Sequence, residues 1–233
     1  MQKPYFLFFI ILLVLGIVAG CKPDKAKEPV VSEGIVNYRI SYSPEIEKRS
    51  FSFLLPDKMD YYFRPGQERI SFIGNMGLYR LDFISNHQND SSITLLKILN
   101  NKMYVPSSES KELFIFKNLR HNEVFFHEDT TREILNYEVH KASIHLYSGN
   151  IDTNIDIWYT PQISTSTTNK NTPFAEIPGV MLEFAIYYND VLFNLKPQNI
   201  EKTVHPDSIF DIPDDYRATT IKEIEEMVLD IIN

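Results

Sequence analysis

Residues 34–42, Gly-Ile-Val-Asn-Tyr-Arg-Ile-Ser-Tyr, decide the fold class. Val36, Tyr38, Ile40 and Tyr42 alternate with Asn37, Arg39 and Ser41. A period of two sends alternate side chains to opposite faces of a strand, so this segment predicts a strand with one face on a core and one in water. The same period returns at Met59, Tyr61 and Phe63, and again at Tyr79, Leu81 and Phe83. Further strands are predicted over 68–74, 92–99, 102–105, 112–117, 123–127, 137–147, 152–160, 180–188, 191–196 and 199–205. Pro65-Gly66, Asn100-Asn101, Gly149-Asn150 and Asn189-Asp190 separate several of these segments. Gly, Asn and Asp tolerate the positive φ of tight hairpins, and such short connections make antiparallel neighbours. The expected fold is mainly β, or a β-dominated α+β domain: a large curved antiparallel sheet or half-open barrel.

One helix is expected, at the C-terminal end. Thr220 and Glu223 have capping-box spacing, and Ile221, Ile224, Met227, Val228 and Ile231 follow at helical intervals. The polar run Ser164 to Thr172 reads as a mobile hairpin loop rather than a site.

The first twenty residues read differently. Lys3 precedes an apolar run, Tyr5 to Val18, and Ala19-Gly20-Cys21 follows at once. This is the layout of a secretory signal, and the run is shorter than the roughly 20 residues of a spanning helix. Val18-Ala19-Gly20-Cys21 resembles the lipobox of bacterial lipoproteins. That resemblance implies cleavage before Cys21, acyl chains on its thiol, and membrane attachment through them. Lys22 in place of an acid implies the outer membrane, with a periplasmic or surface-facing domain. Residues 22–33, after the lipidated cysteine, then form a flexible tether of charge and proline, with a reach of about 40 Å for twelve extended residues. The domains expected are residues 1–20 as signal peptide, 21–33 as lipidated cysteine and tether, and 34–233 as one β-rich unit, which suits 233 residues with 43% hydrophobic content.

The net charge is −8, and residues 1–20 hold one lysine and no acid, so the remainder is more acidic still. Nucleic acid and anionic lipid surfaces both need a positive face, and neither is expected as a partner. Cys21 is the single cysteine, so no intrachain disulfide forms and stability must come from packing.

Ile177-Pro178-Gly179-Val180-Met181-Leu182-Glu183 resembles the "LPGLPLEY" signature of the GLPGLI-type envelope family, whose function is unknown. Residues 134–142 (Ile-Leu-Asn-Tyr-Glu-Val-His-Lys-Ala), 157–160 (Ile-Trp-Tyr-Thr) and 210–216 (Phe-Asp-Ile-Pro-Asp-Asp-Tyr) match its order, over roughly 34–218 in all. Asn136 stands where the family has glycine, and Val180 where it has leucine. Asn accepts the left-handed backbone, so the turn survives. The resemblance implies a relationship to the LolA-like lipoprotein-carrier architecture, and through it binding of acyl chains or another hydrophobic ligand. Read physically, Pro178-Gly179 makes a sharp turn into the strand 180–188, while Phe210 and Tyr216 pack the final turn onto the sheet.

The chemistry-bearing residues are few. His140 and His145, five apart in one strand, face opposite ways, and His121 and His127 are about 20 Å apart along a strand, too far to share one zinc. Asp214-Asp215 and the acids at 223, 225 and 226 lack the regular spacing of a calcium loop. No nucleophile elbow, zinc-protease helix or phosphate loop occurs, so no catalytic residue, metal or cofactor is expected and a hydrolase is the third reading. Trp158 is the candidate for lining a ligand site. Ile155, Ile157 and Tyr159 form the apolar face of its strand, which leaves Trp158 on the other with Asn154 and Asp156. There it covers a helix or loop, or lines a cavity. The leading expectation is a binding lipoprotein for a lipid or other hydrophobic ligand, and the alternative a structural protein that docks an envelope partner.

Overall fold

A computed structural model describes residues 30–232 apart from 51, 107–112, 118, 122, 149, 150 and 171. The signal peptide, the lipobox with Cys21, most of the tether and the Gly149-Asn150 turn lie outside the described residues.

Among the described residues thirteen strands make one open, curved sheet. They are β1 (Gly34–Ser41), β2 (Pro56–Arg64), β3 (Gln67–Gly74), β4 (Tyr79–Asn86), β5 (Ser91–Ile98), β6 (Asn101–Val105), β7 (Arg120–His121), β8 (Phe125–Ile134), β9 (Tyr137–Ser148), β10 (Ile151–Thr160), β11 (Val180–Tyr188), β12 (Val191–Glu201) and β13 (Arg217–Ala218). The spatial order is β13-β6-β5-β4-β3-β2-β1-β12-β11-β10-β9-β7, with β8 on the same edge of β9 as β7, and this path does not close on itself. All pairs are antiparallel except β13 with β6. Mostly sequential antiparallel neighbours build each half, and the long-range pairing of β1 with β12 joins them.

The turns follow their chemistry. Gly66 has φ +80, and Asn189 and Asp190 both have positive φ, as two-residue hairpins require. Asn136 has φ +67 and does take the left-handed conformation. The expected Asn100-Asn101 turn sits one residue earlier: Leu99 carries the positive φ and Asn101 already starts β6. Gly179 has φ +127, and a Cβ there would lie 2.1 Å from the Thr160 carbonyl oxygen, so only glycine fits where β11 begins beside β10.

Four segments differ from expectation. Residues 114–116 form a 3-10 turn instead of a strand, because Leu113, Phe114, Ile115 and Phe116 are all buried as a plug and do not alternate. The strand expected at 123–127 runs on to Ile134, almost wholly exposed and without the apolar alternation that marks a strand in sequence. The two strands expected at 191–196 and 199–205 are one, β12, with a bulge that accommodates Pro197 where no ladder donor is available. Val31, assigned to the tether, is buried and bridges Ile163.

The concave face holds the core. Val36, Phe63, Phe83, Leu96, Ile144 and Ile157 are among its deeply buried side chains, each worth roughly 1.5–3 kcal/mol on burial. Three elements of the chain cover this face: the 113–116 plug, the segment 163–177 with Ile163, Phe174 and Ile177, and helix α1 (Ile221–Ile232) with Ile224, Val228, Ile231 and Ile232. At the start of α1 the Thr220 hydroxyl accepts the Glu223 amide proton at 3.3 Å, while the Glu223 carboxylate turns to Thr219 and Arg217. The capping box is therefore half made. On the convex face a smaller cluster packs Phe210 against Ile84 and Leu95, with Tyr216 beside it.

Candidate ligand pocket

The covered concave face is not completely filled. A cavity of about 30 Å³ lies under α1, lined by Leu55, Tyr79, Phe193, Val228 and Ile232 among others. A second, of about 50 Å³, lies under the 163–177 segment, lined by Tyr38, Met59, Ile70, Phe174 and Phe184 among others. Phe72, Ile115 and Ile186 line both, so one apolar seam runs along the face and the plug residue Ile115 stands at its division. Each space has room for a water or two.

The larger cavity has a polar end. Glu68 of β3 shares the inward parity of Ile70 and Phe72, and Tyr61 of β2 lies opposite Ile70 in register. Both are 7% exposed and both line the cavity. Glu68 Oε1 and the Tyr61 hydroxyl are buried without a hydrogen bond of normal geometry. His87, at the end of β4, places its Nε2 3.9 Å from Glu68 Oε2, and that nitrogen too is unpartnered. Burial first, then the charge of Glu68, raises the Tyr61 pKa well above its ordinary value. An unpaired buried polar group costs about 1–3 kcal/mol. Three together are an exception to the rule that interiors satisfy their polar atoms.

From the polar run expected to be a loop apart from any site, Asn169 and Thr172 line this cavity. The Asn169 side-chain amide donates to the carbonyls of Ile177 (3.1 Å) and Gly179 (2.9 Å), and Thr172 donates to Asn169 O at 2.8 Å. These bonds hold Asn169 and Thr172 against the cavity.

Trp158 is elsewhere. It lies half-buried on the outer face, with the Arg132 guanidinium 4.0 Å above its ring and Glu183 2.5 Å from that guanidinium. It borders an open groove of about 280 Å³ with Asn154, Asp156, Asn194 and Lys196, and lines neither concave cavity. His145 pairs with Asp152 and Asn154 on the outer face, His140 stacks near Tyr159, and His127 contacts Ser143. The side chain of His121 is outside the described residues. Among the described residues no three His, Cys, Asp or Glu side chains converge on a metal-sized point. Asp215 pairs with Lys102, and Glu225 lies 3.6 Å from Lys117.

Sequence reading passed over Glu68, Tyr61 and His87. The signal was present for one of them: Glu68 interrupts an inward-facing series of apolar residues directly after the Pro65-Gly66 turn.

No family model matches this chain, and no curated protein matches it. Among solved structures, the crystal structure of LprF from Mycobacterium bovis is similar at a TM-score of 0.30 and 13% identity, over 80% of this chain and 90% of that one. So distant a likeness carries no argument about ligand or site.

Proposed function

We propose that this chain is a lipid-anchored envelope protein whose concave face takes up a hydrophobic ligand, with Ile115 giving way to it. The observation that carries the reading is the apolar seam that Ile115 divides, with unsatisfied polar groups at one end. A ligand pocket runs to roughly 300 Å³ and more, so the ligand displaces side chain instead of filling an existing space. Withdrawing one isoleucine costs roughly 1.5–3 kcal/mol, and a chain gains about 0.8 kcal/mol per methylene buried, so four methylenes offset it. An anchor on Cys21, an outer-membrane location and kinship with the GLPGLI-type family belong to the same proposal and rest on the sequence. Among the described residues no helix is long and apolar enough to cross a membrane. No catalytic role is part of the reading.

The test is native mass spectrometry of the chain from Lys22 onward, offered single-chain and double-chain lipids. A stoichiometric adduct that disappears in Ile70→Trp, which fills the larger cavity, is the expected result. A clean apo mass under all lipids would sink the reading. Loss of labelled palmitate from Cys21→Ser checks the anchor separately.

β8 favours a second reading, a docking protein of the envelope. Phe125 and Phe126 are 59% and 44% exposed on this outer strand. Against it, residues 128–130 bulge out of the β8–β9 ladder and carry Glu128 and Asp129, which guards the edge against a further strand.

A further inference from the structure

We infer that the ligand of the concave face is an amphiphile with an uncharged hydroxyl head, seated between Glu68 and Tyr61. This rests on the concave-face reading and adds the chemistry of the head group to it. Glu68 and Tyr61 stand on adjacent strands at the same end of the larger cavity, each 7% exposed. Glu68 Oε1 and the Tyr61 hydroxyl lie close to one another, and neither has a hydrogen bond of normal geometry. Of the other polar groups lining the cavity, the Asn169 amide is engaged with two backbone carbonyls and the Thr172 hydroxyl with a third, while His87 Nε2 stands 3.9 Å from the second Glu68 oxygen, Oε2, and leaves Oε1 open.

A hydroxyl meets both demands at once, since it donates to Glu68 and accepts the Tyr61 proton. An ammonium donates but cannot accept. A carboxylate accepts from Tyr61 but sets a second negative charge against Glu68 where little water screens it. A hydroxyl makes the same donor and acceptor bonds that a water would make between these two groups. The apolar walls from Ile70 and Phe72 to Phe174 and Phe184 then take the chain.

The experiment is calorimetric titration of the purified chain with octanol, octylamine and octanoate at neutral pH, repeated on Glu68→Gln and Tyr61→Phe. Thermal unfolding of each variant checks that it is folded. Octanol is expected to bind at least about tenfold tighter than octanoate, with octylamine between them. Tyr61→Phe should weaken octanol by about tenfold and leave octylamine unchanged. Glu68→Gln should bring octanoate to within about threefold of octanol. Uptake of all three with equal affinity would overturn the head-group assignment and leave the concave-face reading standing. Uptake of none would overturn both, and octanoate tighter than octanol in the native chain would overturn the assignment outright.

Discussion

Glu68 and Arg69 are neighbours on β3, and the two faces of the sheet treat their charges in opposite ways. Outward, the carboxylate of Asp82 is wholly buried and saturated: it accepts from Ser71, from Arg69 Nε at 3.2 Å and from Arg80 Nε at 3.0 Å. Arg69 also donates to the Ile209 carbonyl at 2.5 Å, while Arg64 pairs with Asp207 and lies over Phe210. That network ties the 207–216 strap onto the convex face. Inward, one residue earlier in the chain, Glu68 is 7% exposed and has only His87 Nε2, at 3.9 Å, beside its carboxylate. The convex charges complete the fold. The concave carboxylate has no hydrogen bond of normal geometry at Oε1, and the proposed head group is what would supply one.

The largest break in that comparison should come from alkali. Burial raises the pKa of Tyr38, Tyr61 and Tyr79 on the concave face. The folded state therefore holds three protons that the unfolded chain releases near pH 10, so their contribution is whole below pH 10 and falls as pH rises beyond it. By pH 11 the loss is on the order of 4 kcal/mol, measurable as a falling denaturant midpoint that Tyr→Phe variants flatten.

Asp82→Ala ranks next. It strands two guanidinium groups, and removing one partner of a buried ion network costs about 3–5 kcal/mol. Chemical unfolding should show it, and a loss below about 1 kcal/mol would mean that the convex network is solvated after all.

A finer contrast lies within the tyrosines. The Tyr38 hydroxyl donates to Met181 O at 2.6 Å, whereas that of Tyr61 has no hydrogen bond of normal geometry. Tyr38→Phe should cost about 1 kcal/mol and Tyr61→Phe close to nothing. Equal losses in paired urea titrations would show that Tyr61 is satisfied in solution.

The smallest effect, and the most telling, is the change in Tm for Glu68→Leu. Replacing a buried carboxylate whose one near ion-pair partner is His87, at 3.9 Å, by an apolar side chain should leave stability unchanged or raise it. A fall of more than about 2 kcal/mol would make Glu68 as structural as Asp82.

Much of this architecture is legible residue by residue. Alternation placed β1, β2 and β4 with the right faces inward, and Asn136, Gly66 and the Asn189-Asp190 pair marked hairpins through backbone preferences that act locally. Gly179 was readable as a turn, although the Thr160 oxygen that forbids any side chain there belongs to another strand. The misreadings share a cause. Leu113 to Phe116 look like a buried strand because an unbroken apolar run does not say which element buries it. The 164–172 run looks like a free loop because its polarity is spent on backbone carbonyls at 177 and 179, which sequence spacing does not bring together.

Sequence by itself determined the period of two, most of the turns and the C-terminal helix, since each depends on neighbours within a few positions. Tertiary structure alone decided what Glu68 meets. Its surroundings come from β2, the end of β4, the 113–116 plug and the 163–177 cover, which the fold gathers from more than a hundred residues of chain. Whether a buried carboxylate is saturated like Asp82 or left open like Glu68 depends on partners brought by long-range register, and no local pattern records that.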